Sequence, residues 1–116
     1  MLTVREKGLL LNIIKHCNRI ERKMENLTKE QFDQDDDIKE VVCFNLLQIG
    51  ELAKNFEPEF IKMYDGVPWG KIKKLRDRVA HGYGSIDFEI IWRTASSDIT
   101  PLRAYCQSLI ELDNSK

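Results

Sequence analysis

The sequence lacks long apolar runs and paired cysteines. The apolar runs are short, such as the leucine triplet at residues 9–11, and fall far short of the roughly 20 apolar residues of a transmembrane helix. No basic segment followed by an apolar one opens the chain, so we expect a cytoplasmic protein without a signal peptide. The three cysteines, Cys17, Cys43 and Cys106, are far apart. They predict buried, reduced thiols rather than disulfides or a metal site.

The chain also lacks an excess of charge of either sign. It has 18 basic and 19 acidic residues, for a net charge of −1, which argues against non-specific binding to nucleic acids. The charge is unevenly placed, because residues 24–40 hold seven acidic residues against two basic ones, and residues 62–83 hold six basic against two acidic ones. These segments are either two solvated surfaces or, in the second case, a local anion site.

No strand-like alternation of apolar and polar residues is present. A length of 116 residues fits one domain covering residues 1–116, and apolar residues recur at helical spacings of three and four. Pro101 lies in the last apolar stripe without breaking its register, so we expect one kinked helix there. The sequence predicts an all-α antiparallel bundle with four main helices and one or two short ones. The main helices are expected at residues 3–26, at 38–56, from Pro68 to a stop at Gly82, and after the cap residue Asp87.

Polar residues interrupt the stripe of the second main helix. Asn45 occupies an apolar position, and Gly50 and Glu51 lie in the helix interior. One interpretation is close helix packing around a single satisfied core amide. The other is that this helix supports a polar site, with Asn45 or Glu51 behind it. The three aspartates at residues 35–37 are expected to cap the start of this helix.

The residues that could carry chemistry lie within residues 75–83. Of the two histidines, His16 is expected to be an ordinary flank residue, whereas His81 falls in the last helical turn before a glycine. Asp77 precedes His81 by four residues and could orient its ring. Arg76 is about 140° from His81 on an ideal helix. The two can therefore meet on one ligand only if the last turn unwinds or if two chains share the site. Three further bases share a stripe with His81: Lys71, Lys74 and Arg78.

The order Arg76-x4-His81-x-Tyr83 resembles the R-x4-H-x-Y signature of the HepT-like HEPN domains. The resemblance extends to Asn45, to residues 49–54, to Trp69 and to residues 91–93 and 99–102. It implies the toxin subunit of a toxin–antitoxin module, a metal-independent endoribonuclease without a cofactor, acting as a homodimer whose two motifs face each other. It also implies a minimal nucleotidyltransferase antitoxin that transfers AMP to Tyr83.

The chemistry of the motif residues agrees with that resemblance. Cleavage of RNA by its own 2′-hydroxyl needs a base, an acid and positive charge at the phosphate. His81 suits the proton transfers and Arg76 suits the phosphate, while Asp77, Asn45 and Glu51 would support them. Lys71, Lys74 and Arg78 would guide the RNA backbone. The alternatives are a non-catalytic HEPN adaptor that binds a nucleotide or a protein, and a plain bundle with structural ion pairs.

Overall fold

The structure, a computed structural model, describes residues 1–80 and 85–115. Within these ranges the chain is helical and contains no strand, which confirms the predicted all-α fold. No helix in the described part is long and apolar enough to cross a membrane. The elements are α1 (Val4–Met24), α2 (Lys29–Gln34), α3 (Asp36–Ala53), α4 (Pro58–Met63), α5 (Trp69–Ala80), α6 (Phe88–Arg93), a π-helical segment (Thr94–Asp98) and α7 (Ile99–Asn114).

The helices begin where the sequence supplies capping side chains. The Thr28 side chain accepts a hydrogen bond from the backbone of Gln31 and forms a capping box with it. Asp35 Oδ1 accepts from the Ile38 N–H, and Asp87 Oδ1 accepts from the Glu89 N–H. Each bond satisfies an N–H that would otherwise have no partner in the first turn. The predicted starts of the second and last main helices are thereby confirmed to within a few residues.

The chain is helical without interruption from α6 to the end of α7. Pro101 has no N–H to donate to the carbonyl four residues earlier, and the wider π-helical segment Thr94–Asp98 lies immediately before α7. A π-helical turn inserts one residue without ending the helix. The predicted continuity of the helix through Pro101 is therefore confirmed.

Polar contacts at both ends show that α1 and α7 run antiparallel. Asp113, near the end of α7, accepts a hydrogen bond from the Leu2 N–H at 2.8 Å and pairs with Lys7 at 2.9 Å. At the other end Arg103 Nε donates to Glu21 Oε1 at 2.5 Å. Helix α1 also packs on α3, and α3 packs on α5. Helix α3 therefore lies between α1 and α5, and one of its sides faces α5.

The three cysteines are buried and free, as the sequence predicts. Burial raises the pKa of Cys106 to about 12 and that of Cys43 to about 11. Both thiols therefore stay protonated near neutral pH, and they act as small apolar residues of the core.

The expectation that His16 is an ordinary flank residue is wrong. Its side chain is buried, and Nδ1 lies 2.7 Å from Asn45 Oδ1. The Asn45 Nδ2 donates to the Val41 carbonyl at 2.8 Å, so Oδ1 faces the ring and Nδ1 must carry the proton. A buried amide needs such partners. The spacing of Ile13, His16 and Ile20 is helical, and it could have placed His16 on the core face.

Candidate site on helix α5

A cluster of aromatic side chains fixes the start of α5. The rings of Phe56 and Phe60 stack with centroids 4.1 Å apart, and the Trp69 ring lies 5.2 Å from Phe56. The Trp69 indole N–H donates to the Tyr64 carbonyl at 2.6 Å. Because Trp69 is the first residue of α5 and is buried, these contacts anchor the N-terminal end of that helix to the core.

Gly50 allows α3 and α5 to approach closely. A Cβ atom at Gly50 would lie 2.8 Å from the Arg76 backbone nitrogen and 3.2 Å from the Ile72 carbonyl oxygen. Both distances are shorter than an ordinary van der Waals contact, so only glycine fits without movement of α5. The close-packing interpretation of Gly50 is confirmed. This close approach also brings the Arg76 side chain within reach of Glu51, the residue that follows Gly50.

Two carboxylates hold the Arg76 guanidinium. Its Nε lies 2.5 Å from Glu51 Oε1, and its Nη1 donates to Asp77 Oδ1 at 3.2 Å. The hydrogen bonds to Asp77 and then to Glu51 raise the pKa of Arg76, so it remains cationic. These two pairs use two of the five N–H groups of the guanidinium. About two fifths of the Arg76 side chain is exposed, so the group is both oriented and reachable.

Three of the other basic residues of α5 lie on a different flank of the helix from Arg76: Lys71, Lys74 and Arg78. Lys74 and Arg78 are each two positions from Arg76, about 200° around the helix. With Lys71 they line a groove of about 540 Å³ between α5 and the segment from α6 to α7. The structure therefore confirms that Lys71, Lys74 and Arg78 share one side of α5. It does not bring them to the guanidinium of Arg76.

Two of the motif residues, His81 and Tyr83, lie outside the described residues. Asp77 is described, and its contact is with Arg76. Asn45 bonds to His16 and Val41, which favours the core-amide interpretation over contact with the site. Within residues 1–80 and 85–115, no three side chains of His, Cys, Asp or Glu are arranged to hold a metal ion.

Sequence reasoning missed Arg93, which lines the same groove as the α5 bases. No local pattern marks this residue, since its position at the groove depends on where α6 lies relative to α5. Sequence reasoning did single out Glu51, but it gave no contact for it. The signal for that contact was the preceding Gly50, whose missing side chain admits α5.

The fold and this site define an all-α protein in which a basic helix carries an arginine paired with two carboxylates. The family model described as "Ribonuclease HepT-like" matches residues 13–109. The chain therefore belongs to the HepT-like ribonuclease family.

Curated relatives agree with this assignment. The chain is 34% identical over 86 residues, 74% of this chain and 71% of the relative, to a "Putative RNase" of Methanocaldococcus jannaschii. It is 28% identical over 103 residues to the "Probable ribonuclease HepT" of Thermococcus cleftensis, covering 89% and 94% of the two chains. A "Putative RNase" of Caldanaerobacter subterraneus is 28% identical over 102 residues, 88% and 91% of the two chains. No solved structure matches the chain significantly.

Proposed function

We propose that this single-domain chain is a metal-independent endoribonuclease, the toxin subunit of a cytoplasmic toxin–antitoxin pair. The observation that carries the proposal is the paired and partly exposed Arg76, held by Glu51 and Asp77 five residues before His81. Family membership and the names of the curated relatives support RNA as the substrate. No cofactor is needed for the reaction below.

The reaction uses the RNA 2′-hydroxyl as its nucleophile. A base removes the hydroxyl proton, O2′ attacks the adjacent phosphorus, and the P–O5′ bond breaks as an acid protonates O5′. The products are a 2′,3′-cyclic phosphate and a 5′-hydroxyl. His81 is the proton-transfer residue, and Arg76 offers its N–H groups to the phosphate oxygens as charge builds up on them. Glu51 and Asp77 orient Arg76.

A homodimer would complete this site. One histidine cannot readily serve as base and acid at once, whereas two copies of His81 across a two-fold axis can divide the roles. Phe44 on α3 is a large apolar side chain that is 52% exposed. It lies seven residues, about two helical turns, from Glu51 and so on the same face of α3. Pairing over this face would cover Phe44 beside Arg76.

The proposed function predicts cleavage of single-stranded RNA by the purified chain in the presence of a chelator. The active species should have the mass of two chains by light scattering. A His81→Ala preparation that keeps the same mass and helical content serves as the control, and it should leave the RNA intact. Loss of wild-type activity with chelator would revive a metal mechanism. A binding-competent chain that never cleaves would favour the adaptor alternative.

A nucleotidyltransferase antitoxin is proposed to silence the enzyme at Tyr83. The Tyr83 oxygen would attack the α-phosphorus of ATP, with pyrophosphate as the leaving group, and the added AMP would bring negative charge to the RNA site. The expected result is a mass gain of one AMP per modified hydroxyl after incubation with the antitoxin, ATP and Mg²⁺, together with loss of cleavage. Tyr83→Phe should stay active and unmodified. The same gain on that variant would move the site to Tyr64 or Tyr105.

A further inference from the structure

The three α5 bases that line the groove, Lys71, Lys74 and Arg78, cannot bind the same phosphate group as Arg76 within one chain. Arg76 points to α3, where Glu51 holds it, whereas Lys74 and Arg78 face the groove toward α6 and α7. The angle between the two directions is about 160° on the helix. The groove bases must therefore contact something other than the phosphate at Arg76.

Four cations line this groove: Lys71, Lys74, Arg78 and Arg93. In the described part of the chain, no carboxylate lies within 4.0 Å of any of them, although Lys29 and Arg103 are paired with acids. One acid, Asp98, also lines the groove. Four cations from two separate helices outnumber this single acid, and such an excess of positive charge forms a local site for an anion.

Apolar side chains line the groove together with the basic ones. They come from the segment before α5, from α6 and from α7. A ligand that fits such a groove has regularly spaced negative charges and flat, less polar parts between them. Single-stranded RNA has this chemistry, because its phosphates meet the basic side chains while sugars and bases cover apolar surface. The apolar lining includes Pro68, Ile90, Pro101 and Leu102.

We propose that this groove is a second RNA subsite, which holds the strand several nucleotides away from the phosphate cleaved at Arg76, and that Arg93 is one of its anchors. This inference rests on the proposed ribonuclease function and deepens it. The groove then contributes to the binding of long strands and adds nothing for a substrate too short to reach around α5. Neutralising its cations should raise KM for long RNA and leave kcat unchanged.

The experiment compares two double variants. The groove variant carries Lys74→Gln and Arg93→Gln, and the control variant carries Lys62→Gln and Arg5→Gln. Both double variants remove one exposed lysine and one exposed arginine, so their net charges are equal. KM and kcat are measured on a long single-stranded RNA and on the shortest oligonucleotide that the wild type cleaves. We expect a several-fold rise in KM for the groove variant on the long strand only, and wild-type behaviour of the control on both.

A binding measurement separates failure of the subsite from failure of the proposed function. RNA carrying 2′-O-methyl groups lacks the nucleophile, so its fluorescence anisotropy reports binding without cleavage. The groove variant should reduce the slope of log affinity against log salt by about 1.4, or about 0.7 for each lost phosphate contact on a single strand. The control variant should keep the wild-type slope. If its slope falls as much as that of the groove variant, total charge alone explains the effect and the subsite is overturned.

The remaining outcomes distinguish the proposed RNA subsite from the proposed ribonuclease activity. If the wild type cleaves RNA but the groove variant affects long and short substrates equally, the subsite is wrong and the ribonuclease stands. If the wild type never cleaves, the ribonuclease is wrong, and an unchanged salt slope then removes the subsite as well. If the groove variant loses affinity for a polyglutamate peptide but not for RNA, the groove is a site for an acidic protein segment and the RNA assignment is overturned.

Discussion

Replacing Arg76 with alanine is expected to lower the rate of RNA cleavage by about 10²–10³-fold, the usual cost of losing one donor to a developing charge. The fold should persist. The Arg76 side chain is two-fifths exposed, its carboxylate partners are at least as exposed, and pairs of this kind contribute about 0–1 kcal/mol to stability. The measurement is single-turnover cleavage, with the thermal midpoint followed in parallel.

The Arg76→Lys variant tests whether cleavage depends on the geometry of the guanidinium or only on its positive charge. A lysine has one ammonium group and no planar fork, so it cannot contact Glu51, Asp77 and a phosphate in the arrangement that the guanidinium allows. We expect most of the activity to be lost although the charge is kept. Lys73→Ala on the same helix is the matched control and should cleave normally. A fully active Arg76→Lys variant would reduce the role of this residue to simple charge.

Glu51 should act only through Arg76. If it orients the guanidinium, Glu51→Ala lowers the cleavage rate in the wild type and has no further effect in the Arg76→Ala background. Additive losses in the double variant would instead mean that Glu51 reaches the RNA by itself. The same cycle distinguishes orientation from a general loss of stability, since a stability effect would persist in both backgrounds.

The sequence predicts the helices of this protein better than their contacts. Capping residues such as Thr28 and Asp87 act within one turn, and the apolar spacing of three and four is a property of each helix alone. Local signals of this kind suffice to predict the four main helices and the continuity of the last one through Pro101. Contacts between helices depend on which faces meet after packing, and a single sequence does not encode that directly.

His16 and Arg93 illustrate the difference. The contact of His16 with Asn45 follows from the packing of α1 on α3, although the helical spacing of Ile13, His16 and Ile20 could have indicated that His16 is buried. Arg93 lies at the same groove as Lys71, Lys74 and Arg78 because α6 lines the groove together with α5. By contrast, the clustering of Lys71, Lys74 and Arg78 is a property of one helix, and the sequence predicts it.

Gly50→Val is expected to destabilise the protein by about 3 kcal/mol, at the upper end of the usual cost of overpacking. The Cβ alone would lie 2.8 Å from the Arg76 nitrogen and 3.0 Å from the Arg76 Cβ. These are atoms of the α5 backbone and its first side-chain carbon, so no rotamer change relieves the clash. The thermal midpoint should fall by roughly 12 °C for a domain of this size.

Gly8→Val is the matched control for this substitution. Gly8 lies within α1, and a Cβ there meets nothing within 4 Å. Inside a helix, glycine is less favourable than alanine by about 1 kcal/mol, and valine lies between the two. The control should therefore be neutral or slightly stabilised, so that a large difference between the two variants isolates the contact between α3 and α5 from helix propensity.

The Gly50 variant also tests whether the approach of α3 and α5 positions the site. Moving α5 outward would separate Arg76 from Glu51, so the folded variant, assayed well below its midpoint, should cleave RNA more slowly. Gly50→Ala should give an intermediate result in both stability and rate, because its single carbon meets the same backbone atoms with less bulk. If Gly50→Val lowered the midpoint and left the cleavage rate at the wild-type value, the geometry of Arg76 and Glu51 would not be what catalysis requires.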